Sequence, residues 1–492
     1  MSNRLFLFGI GGTGSRVVKS VAMLMASGIK LSNNFDTLVP ILIDPDTANG
    51  DLNRTKDILR VYQSIRAKIN KPNEFFGQDI KTVNELAQDV SDTRPDYFQF
   101  NIKGTHDSKF KDYIGYNSLE ENDRNFIDLL YSDKNLNSDL DIGFKGNPHM
   151  GSIVLNQFTR SEDFKKFAHA FAPGDAIFIV NSIFGGTGAA GFPLLLKTLR
   201  YKDLDLPNSI QIRNAPIGGT TFLPYFDIDK DDDSEIDSDS FKEKAKMALN
   251  YYNRSIIQGR KLNALYFLGV DGATNIYENH EGKEEQKNNA HFLELAGALS
   301  VVDFCENIHS HKVEEGRVLQ DTQIKEFGIE RDTNIITFND LHANNDELLK
   351  NNLTRFRLFS LYLDNGLDRA VGSAAWTQNG VIWPKRTLLD KDFFKTASYK
   401  NNLKKFLTYF DEWIEELDKN KPSFSPFKKY VSIGNSLDLL TSNEKIEKDG
   451  FKKLDVRNAF NISKIDTSNA YTQLIKLFEL STQDVLEKNK LI

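Results

Sequence analysis

At 492 residues, 40% hydrophobic and 27% charged, the chain is too long for one ordinary core and has a folded globular composition. Its net charge, 62 − 69 = −7, leaves no strongly basic face and argues against nucleic acid as a partner. The single cysteine, Cys305, excludes an internal disulfide framework and a cysteine zinc site.

The chain runs from Met1 into a short apolar strand, 4–8, which glycine breaks at once. That run is far too short for a signal-peptide core or a membrane span, and no later run reaches spanning length, so a cytoplasmic protein is expected. Val17, Val18, Val21, Leu24 and Met25 give 15–29 the apolar face of a helix, and a second buried strand follows at 38–43. Strand, glycine turn, helix and strand make a βαβ unit, which implies a parallel sheet. Residues 51–141 are polar and weakly periodic and read as an insertion of helices and loops. The sheet resumes at 176–180, with a helix over 187–200 and strands over 219–225 and 264–270. Between those two strands lie an acidic stretch, 227–239, and a helix over 241–256. An apolar helix is predicted at 289–305. Beyond about residue 330 the pattern is mainly helical, at 345–363, 401–417 and 467–487. No fixed-period repeat is present.

Two glycine loops carry the chemistry. GIGGTGS, residues 9–15, sits at a strand end and opens a helix, so backbone N–H groups and a positive helix terminus face a phosphate. Side chains there would block close approach of the backbone to an anion. Gly9, Gly11 and Gly14 also satisfy the dinucleotide fingerprint, but the acid expected about 20 residues on is missing, the first acid after the next strand being Asp44. A second loop, FGGTGAAG at 184–191, follows the strand at 176–180 and leads into an apolar helix. Two phosphate-cradling turns at one sheet edge suit a triphosphate gripped from both sides.

The string GDAIFIVNSIFGGTGAAGFPLLLKTL resembles the signature loop of the tubulin/FtsZ superfamily and its flanks. FKGNPHMG, 144–151, is similar to the family's loop that reaches the terminal phosphate; IDPDT, 43–47, to its segment near the nucleotide's magnesium; and PYFD, 224–227, to a loop whose acid contacts the ribose. The resemblance covers roughly residues 1–305, interrupted at 51–141. It implies an α/β tubulin/FtsZ-type nucleotide-binding domain, a mostly parallel sheet flanked by helices, over 1–50 and 142–310. An insertion (51–141) and a mainly helical C-terminal region (311–492) complete the expected chain.

By the same resemblance GTP or GDP with Mg²⁺ is the expected cofactor. Gly11, Gly12, Thr13, Gly14 and Ser15 would hold the inner phosphates, and Gly185, Gly186, Thr187 and Gly188 the outer ones. Gly146 and Asn147 would sense the terminal phosphate. Asp46, with Asp44 in reserve, would hold the magnesium-linked water shell, and Asp227 would contact the ribose. Phe292 would stack on the base, with Asn288 or Asn289 on the guanine edge, although the polar partner one turn later is replaced by Ala296. VVDFCE, 301–306, is similar to the family's acid loop and nominates Asp303 and Glu306 for GTP hydrolysis on a neighbouring subunit. Asp303 comes only 11 residues after Phe292 (303 − 292), shorter than the family's central helix, so a plain helix end is an equal reading. Expected partners are further copies of the chain, in filaments or oligomers, and a protein bound through the C-terminal region.

Two alternatives stand beside this. A ubiquitin-activating-type (ThiF-like) adenylating enzyme also opens with GxGGxGS. It would use Asp44 or Asp46 for magnesium, Arg54 for phosphates and Cys305 as thioester nucleophile, but has no use for FGGTGAAG or GNP. A non-hydrolysing tubulin-like scaffold is the other. The acidic stretch 227–239 lacks the glycine and closing glutamate of an EF-hand and reads as a solvated loop. Trp376, Trp383 and Trp413 read as packing of the C-terminal unit.

Overall fold

Leu5, Phe6, Leu7 and Phe8 are apolar on both faces of their strand, as expected where a parallel sheet is covered on both sides, and all four are buried. In the computed structural model they begin β1 (Asn3–Ile10), followed by α1 (Gly11–Ala26), β2 (Phe35–Ile43), α2 (Gly50–Arg66) and β3 (Asp79–Ile80). Next come α3 (Glu121–Leu130), α4 (Pro148–Leu155), α5 (Glu162–Ala170), β4 (Ala176–Ser182), α6 (Gly186–Leu199) and β5 (Ile217–Phe222). Then follow α7 (Phe241–Tyr252), β6 (Ala264–Val270), α8 (Phe292–Glu306) and β7 (Gln323–Ile329). The main C-terminal helices are α9 (Ala343–Asn365), α10 (Lys405–Lys419), α11 (Gly450–Asn461) and α12 (Ala470–Lys488). The structure describes residues 3–492 except 71–72, 88–97, 145, 203–204, 230–240, 271–274, 279, 281, 331, 379–386, 429–435, 438, 442–445 and 448–449. Most of the acidic stretch 227–239, and Trp383, lie outside the described residues.

The seven strands form one sheet in the order β7-β6-β5-β4-β1-β2-β3, and every neighbouring pair is parallel. Which helix covers which face follows from the period of two along a strand. A Cβ on Gly218 would lie 2.6 Å from Phe304 of α8, whereas one on Gly219 would lie 3.0 Å from Phe192 of α6. Thus α8 and α6 sit on opposite faces. Gly297 of α8 packs against Val17, so α1 shares the α8 face. On the other face the Phe6 and Phe8 rings meet Phe167 of α5 at 5.1 and 5.4 Å.

The α/β architecture is as expected, but two stretches belong to the sheet unit rather than to the units predicted for them. Within 51–141, α2 packs on α1, where the Thr55 hydroxyl donates to the Ser15 carbonyl at 3.0 Å, β3 extends the sheet beside β2, and Gln99 bridges Leu42. Within 311–492, β7 adds the far edge strand. Its alternating partly exposed residues hide it from a search for apolar runs.

The C-terminal helices pack on one another through Phe356–Phe410 and Phe359–Phe478, both 4.8 Å between centroids. They reach the sheet unit through Phe75–Phe356 (5.1 Å) and Phe76–Phe406 (5.0 Å). Trp376 and Trp413 are buried, and the Trp413 indole N–H donates to Ser20 Oγ on α1 at 3.2 Å. Three residues on, Glu416 accepts from Lys19 Nζ at 2.8 Å, from Arg54, and from the Ala290 amide at 3.0 Å. Among the described residues, no helix is long and apolar enough to cross a membrane.

Glu416→Ala strands the buried Lys19 ammonium without its carboxylate. It is expected to cost about 3–5 kcal/mol in urea unfolding, whereas Glu415→Ala, exposed on the same helix, stays within about 0.5 kcal/mol. Equal effects of the two would count against Glu416 as the anchor of this contact.

Candidate functional site

Between β1 and β4 the strand order reverses, and a crevice opens outside the carboxyl ends of strands at such a point. β1 passes directly into α1, and the turn is made at Gly11, whose φ of +74° would strain any side chain. Gly14 serves packing rather than a ligand: a Cβ there would fall 2.6 Å from the Gly9 carbonyl carbon. β4 ends at Ser182 and α6 begins at Gly186. A Cβ on Gly11 would lie 3.6 Å from the Gly188 amide nitrogen, so the two loops touch. A third segment closes on them. A Cβ on Gly186 would come within 2.9 Å of Phe144 Cβ and 3.2 Å of the amide nitrogens of Gly146 and Asn147, where α4 starts.

Three helices therefore begin at one cleft. Their N-caps, Ile10, Gly185 and Asn147, make no side-chain capping bond, and no acid stands in the first turn of any of them. Some other helices are capped, although α3, α9 and α10 have no side-chain capping bond either. Asn49 accepts from Leu52 N, Ser161 from Phe164 N and Asn469 from Thr472 N, while His291 and Glu294 form a capping box on α8. Each uncapped terminus leaves first-turn N–H groups to be met by something outside the chain, and each carries the positive end of a helix dipole.

The cleft is lined along one stretch by Gly11, Gly12, Thr13, Gly146 and the 185–188 loop, and beside them by Asp44 and Asp46. It is lined as well by an aromatic group, Phe184, Phe226, Phe241 and Tyr277 (Phe184–Phe226 5.4 Å, Phe226–Tyr277 5.1 Å), and by Gln286 and Asn288, the Gln286 side-chain oxygen accepting from the Asn49 side-chain amide. Asp44 and Asp46 are both buried. Asp44 accepts from the Asp46 amide at 3.1 Å, and Asp46 accepts from the amides of Ala48 (3.0 Å) and Lys283 (2.6 Å). Burial, and then the Asp46 charge, push the Asp44 carboxyl up to about 8; burial also raises Asp46. A bound cation would relieve both. Among the described residues no group of three or more His, Cys, Asp or Glu could hold a metal. The pair therefore suits a cation that takes most of its ligands from water and a phosphate, as Mg²⁺ does.

Under the first glycine loop lies Arg16, buried and aimed at three groups. It meets Glu294 at 2.5 Å, Asp51 at 2.6 Å and the Tyr225 hydroxyl at 2.9 Å. Burial alone would raise Glu294, but Arg16, the Tyr225 hydroxyl and the His291 amide hold it below the usual carboxylate range. Sequence reading passed over Arg16 because a charged residue in a helix is normally assigned to solvent. It also missed Tyr277, Glu278, His280 and Gln286 on the cleft wall, which no local pattern marks and which tertiary contacts such as that of the Lys283 amide with Asp46 hold near the site.

Several nominated residues lie elsewhere. Ser15 is buried and bonds Gly11 O, and Asn147 sits behind Gly186 as the α4 N-cap. Asp227 lies in a two-residue strand paired to Ile276, and Asn289 accepts from Tyr277 through its backbone; neither lines the cleft, although Asn288 does. Phe292 is buried, stacked on Phe424 at 5.1 Å, beside a different cleft that it shares with Asp303. Asp303 accepts from the Tyr266 hydroxyl at 2.5 Å and from Lys325, and Glu306 is exposed at the end of α8. Arg54 is turned to Asp51, Glu416 and the Asn288 carbonyl. Cys305 is buried, and burial raises its thiol well above the ordinary value, the opposite of an activated nucleophile.

No family model and no curated protein matches the chain. Among solved structures it is similar to CetZ from Methanosaeta thermophila strain DSM 6194, at 15% identity and a TM-score of 0.27, over 63% of this chain and 52% of that one. The chain thus spans about half the length of that protein, and a likeness this slight adds nothing to what the sheet itself shows.

Asp44 binds its proton more tightly folded than unfolded, so without divalent cations it stabilises the chain progressively less as pH rises from about 4 to about 8. Asp44→Asn is expected to raise the melting temperature at pH 8 in a chelator and to change nothing at pH 4. An equal effect at both pH values would mean that Asp44 is ionised in the fold.

Proposed function

We propose that the cleft binds a nucleoside triphosphate, GTP by the resemblance of its loops, and that the bound nucleotide governs association of the chain with further copies. The carrying observation is the meeting of three uncapped helix N-termini, free of first-turn acids, at the switch point of a parallel sheet. Such an arrangement favours an anion of several charges. First-turn amides of α1 and α6 would hold inner and outer phosphates, with Gly146 and the α4 terminus toward the last one. Asp46 and Asp44 would take a magnesium ion on its water side, which supplies charge neutralisation between the phosphates. The aromatic group lining the cleft suits a nucleoside, with Gln286 and Asn288 as amide partners for the base.

The base-stacking role moves in this proposal from Phe292 to the aromatic group around Tyr277, because Phe292 is packed on Phe424. Asp303, tied to Lys325 and Tyr266, is not available to activate water in its present surroundings. Hydrolysis by the 301–306 segment of a neighbour would first require that ion pair to open. The adenylating alternative loses its proposed nucleophile to the burial of Cys305 and its phosphate ligand to the pairing of Arg54.

Gly12 permits a clean test, since a Cβ there meets nothing closer than Arg16 at 3.5 Å. Nucleotide released on denaturing the purified chain is expected to be guanine nucleotide, and titrations with Mg²⁺ are expected to favour GTP over ATP. Gly12→Ala should fold and bind, whereas Gly12→Glu should fold and lose binding by about 100-fold or more, a loss of ~2.7 kcal/mol. Adenine nucleotide with pyrophosphate release, or undiminished binding by Gly12→Glu, would overturn the reading.

A further inference from the structure

Among the described residues, the α-helix α3 has no buried residue. α3 turns Ile127 and Arg124 partly toward the protein and presents Phe126, Leu129 and Leu130 to solvent at 61%, 84% and 58% exposure, with Asp123 beside them. Leaving three large apolar side chains on one helical face is costly in water, and such a face marks an interaction surface. Its charged neighbours are mostly acidic, with Glu120, Glu121, Asp123 and Asp128 against Arg124. That composition is wrong for a helix lying on an anionic membrane, which needs lysine and arginine on its polar face.

A surface of matching chemistry exists on the same chain. α7 buries Phe241, Ala245 and Tyr252 and exposes the opposite face, with Met247 (69%) and Tyr251, and with Arg254 one turn beyond Tyr251; Lys242 is exposed nearer the helix start, and Lys246 pairs with Glu243 at 3.0 Å. Over 241–254 four cations (Lys242, Lys244, Lys246, Arg254) stand against one acid, Glu243. Phe241, on the buried side at the start of α7, lines the cleft.

We propose that α3 of one copy packs against α7 of a second, Phe126, Leu129 and Leu130 covering Met247 and Tyr251, with the acids of α3 facing the cations of α7. This deepens the association reading above and rests on it. The two surfaces are unlike, so the contact repeats head to tail unless a two-fold axis pairs it reciprocally. Two helix faces make a small interface, so the association is weak, salt-sensitive and best seen at high protein concentration.

The test uses the full chain with GTP and Mg²⁺, by sedimentation and by disulfide trapping. Leu129→Cys and Met247→Cys chains, mixed and mildly oxidised, are expected to give a linked dimer several-fold in excess of either variant alone. The unsubstituted chain, with only buried Cys305, serves as blank. Leu129→Lys is expected to abolish association while leaving nucleotide binding unchanged, and added salt to weaken association in the parent. Association that persists in Leu129→Lys, or mixed variants that link no better than single ones, would overturn this surface and leave the nucleotide reading standing. A chain that stays monomeric in every nucleotide state overturns the surface and the association reading together, while Gly12→Glu tests nucleotide binding independently of both.

Discussion

Six buried charges alternate in one unbroken line: Glu294, Arg16, Asp51, Arg54, Glu416 and Lys19. Each carboxylate meets a cation and each cation a carboxylate, three of each sign, so the line is neutral as a whole. Burial costs each of these ions heavily, and only close pairing in good geometry offsets it. Glu294 and Glu416 stay below the usual carboxylate range in spite of burial, and Lys19 is shifted down by burial with Glu416 opposing it. The line crosses four helices, α8, α1, α2 and α10, and fixes them on one another with a directionality that apolar packing lacks. The first glycine loop rests on its Arg16 end and the C-terminal helices on its Glu416 end.

The line is neutral as a whole, but its Arg16 guanidinium lines the cleft above it. The positive potential there comes from the helix termini and Arg16, and the negative from Asp46 and, once ionised, Asp44. A polyphosphate would be drawn by the first and repelled by the second. A divalent cation between carboxylates and phosphates resolves this opposition, and it is also what returns Asp44 to its ionised form. Anion and cation are thus expected to bind together more readily than either binds alone.

How far the sequence revealed this depends on the kind of constraint. The glycine loops were legible because a positive φ at Gly11 and the contact of Gly14 with Gly9 admit almost no other residue. The strands at 4–8, 38–43, 176–180 and 264–270 were legible because both faces are apolar. α2 was hidden for the opposite reason: its buried face includes Asp51, Thr55 and Arg66, and partners such as Glu416 and Arg16 are distant in sequence. Phe292 drew attention by its place at a helix start, yet its surroundings are set by Phe424, which no local pattern could supply. Tyr277 and Gln286 come to the cleft wall through tertiary contacts that leave no periodic signature, whereas Asn288 was nominated from its place before a helix.

The spacing of the charge line also bears on how the chain is made. Within this chain α1 is made well before its distant partners, and it carries Arg16 and Lys19 toward an apolar interior. Their carboxylate partners Glu294 and Glu416 follow 278 and 397 residues later. At translation speeds of about 5–20 residues per second, that is an interval of tens of seconds. Arg16 can meet Asp51, made only 35 residues after it, but Lys19 stays solvated until Glu416 is made, so the packing of α1 against the C-terminal helices is completed late.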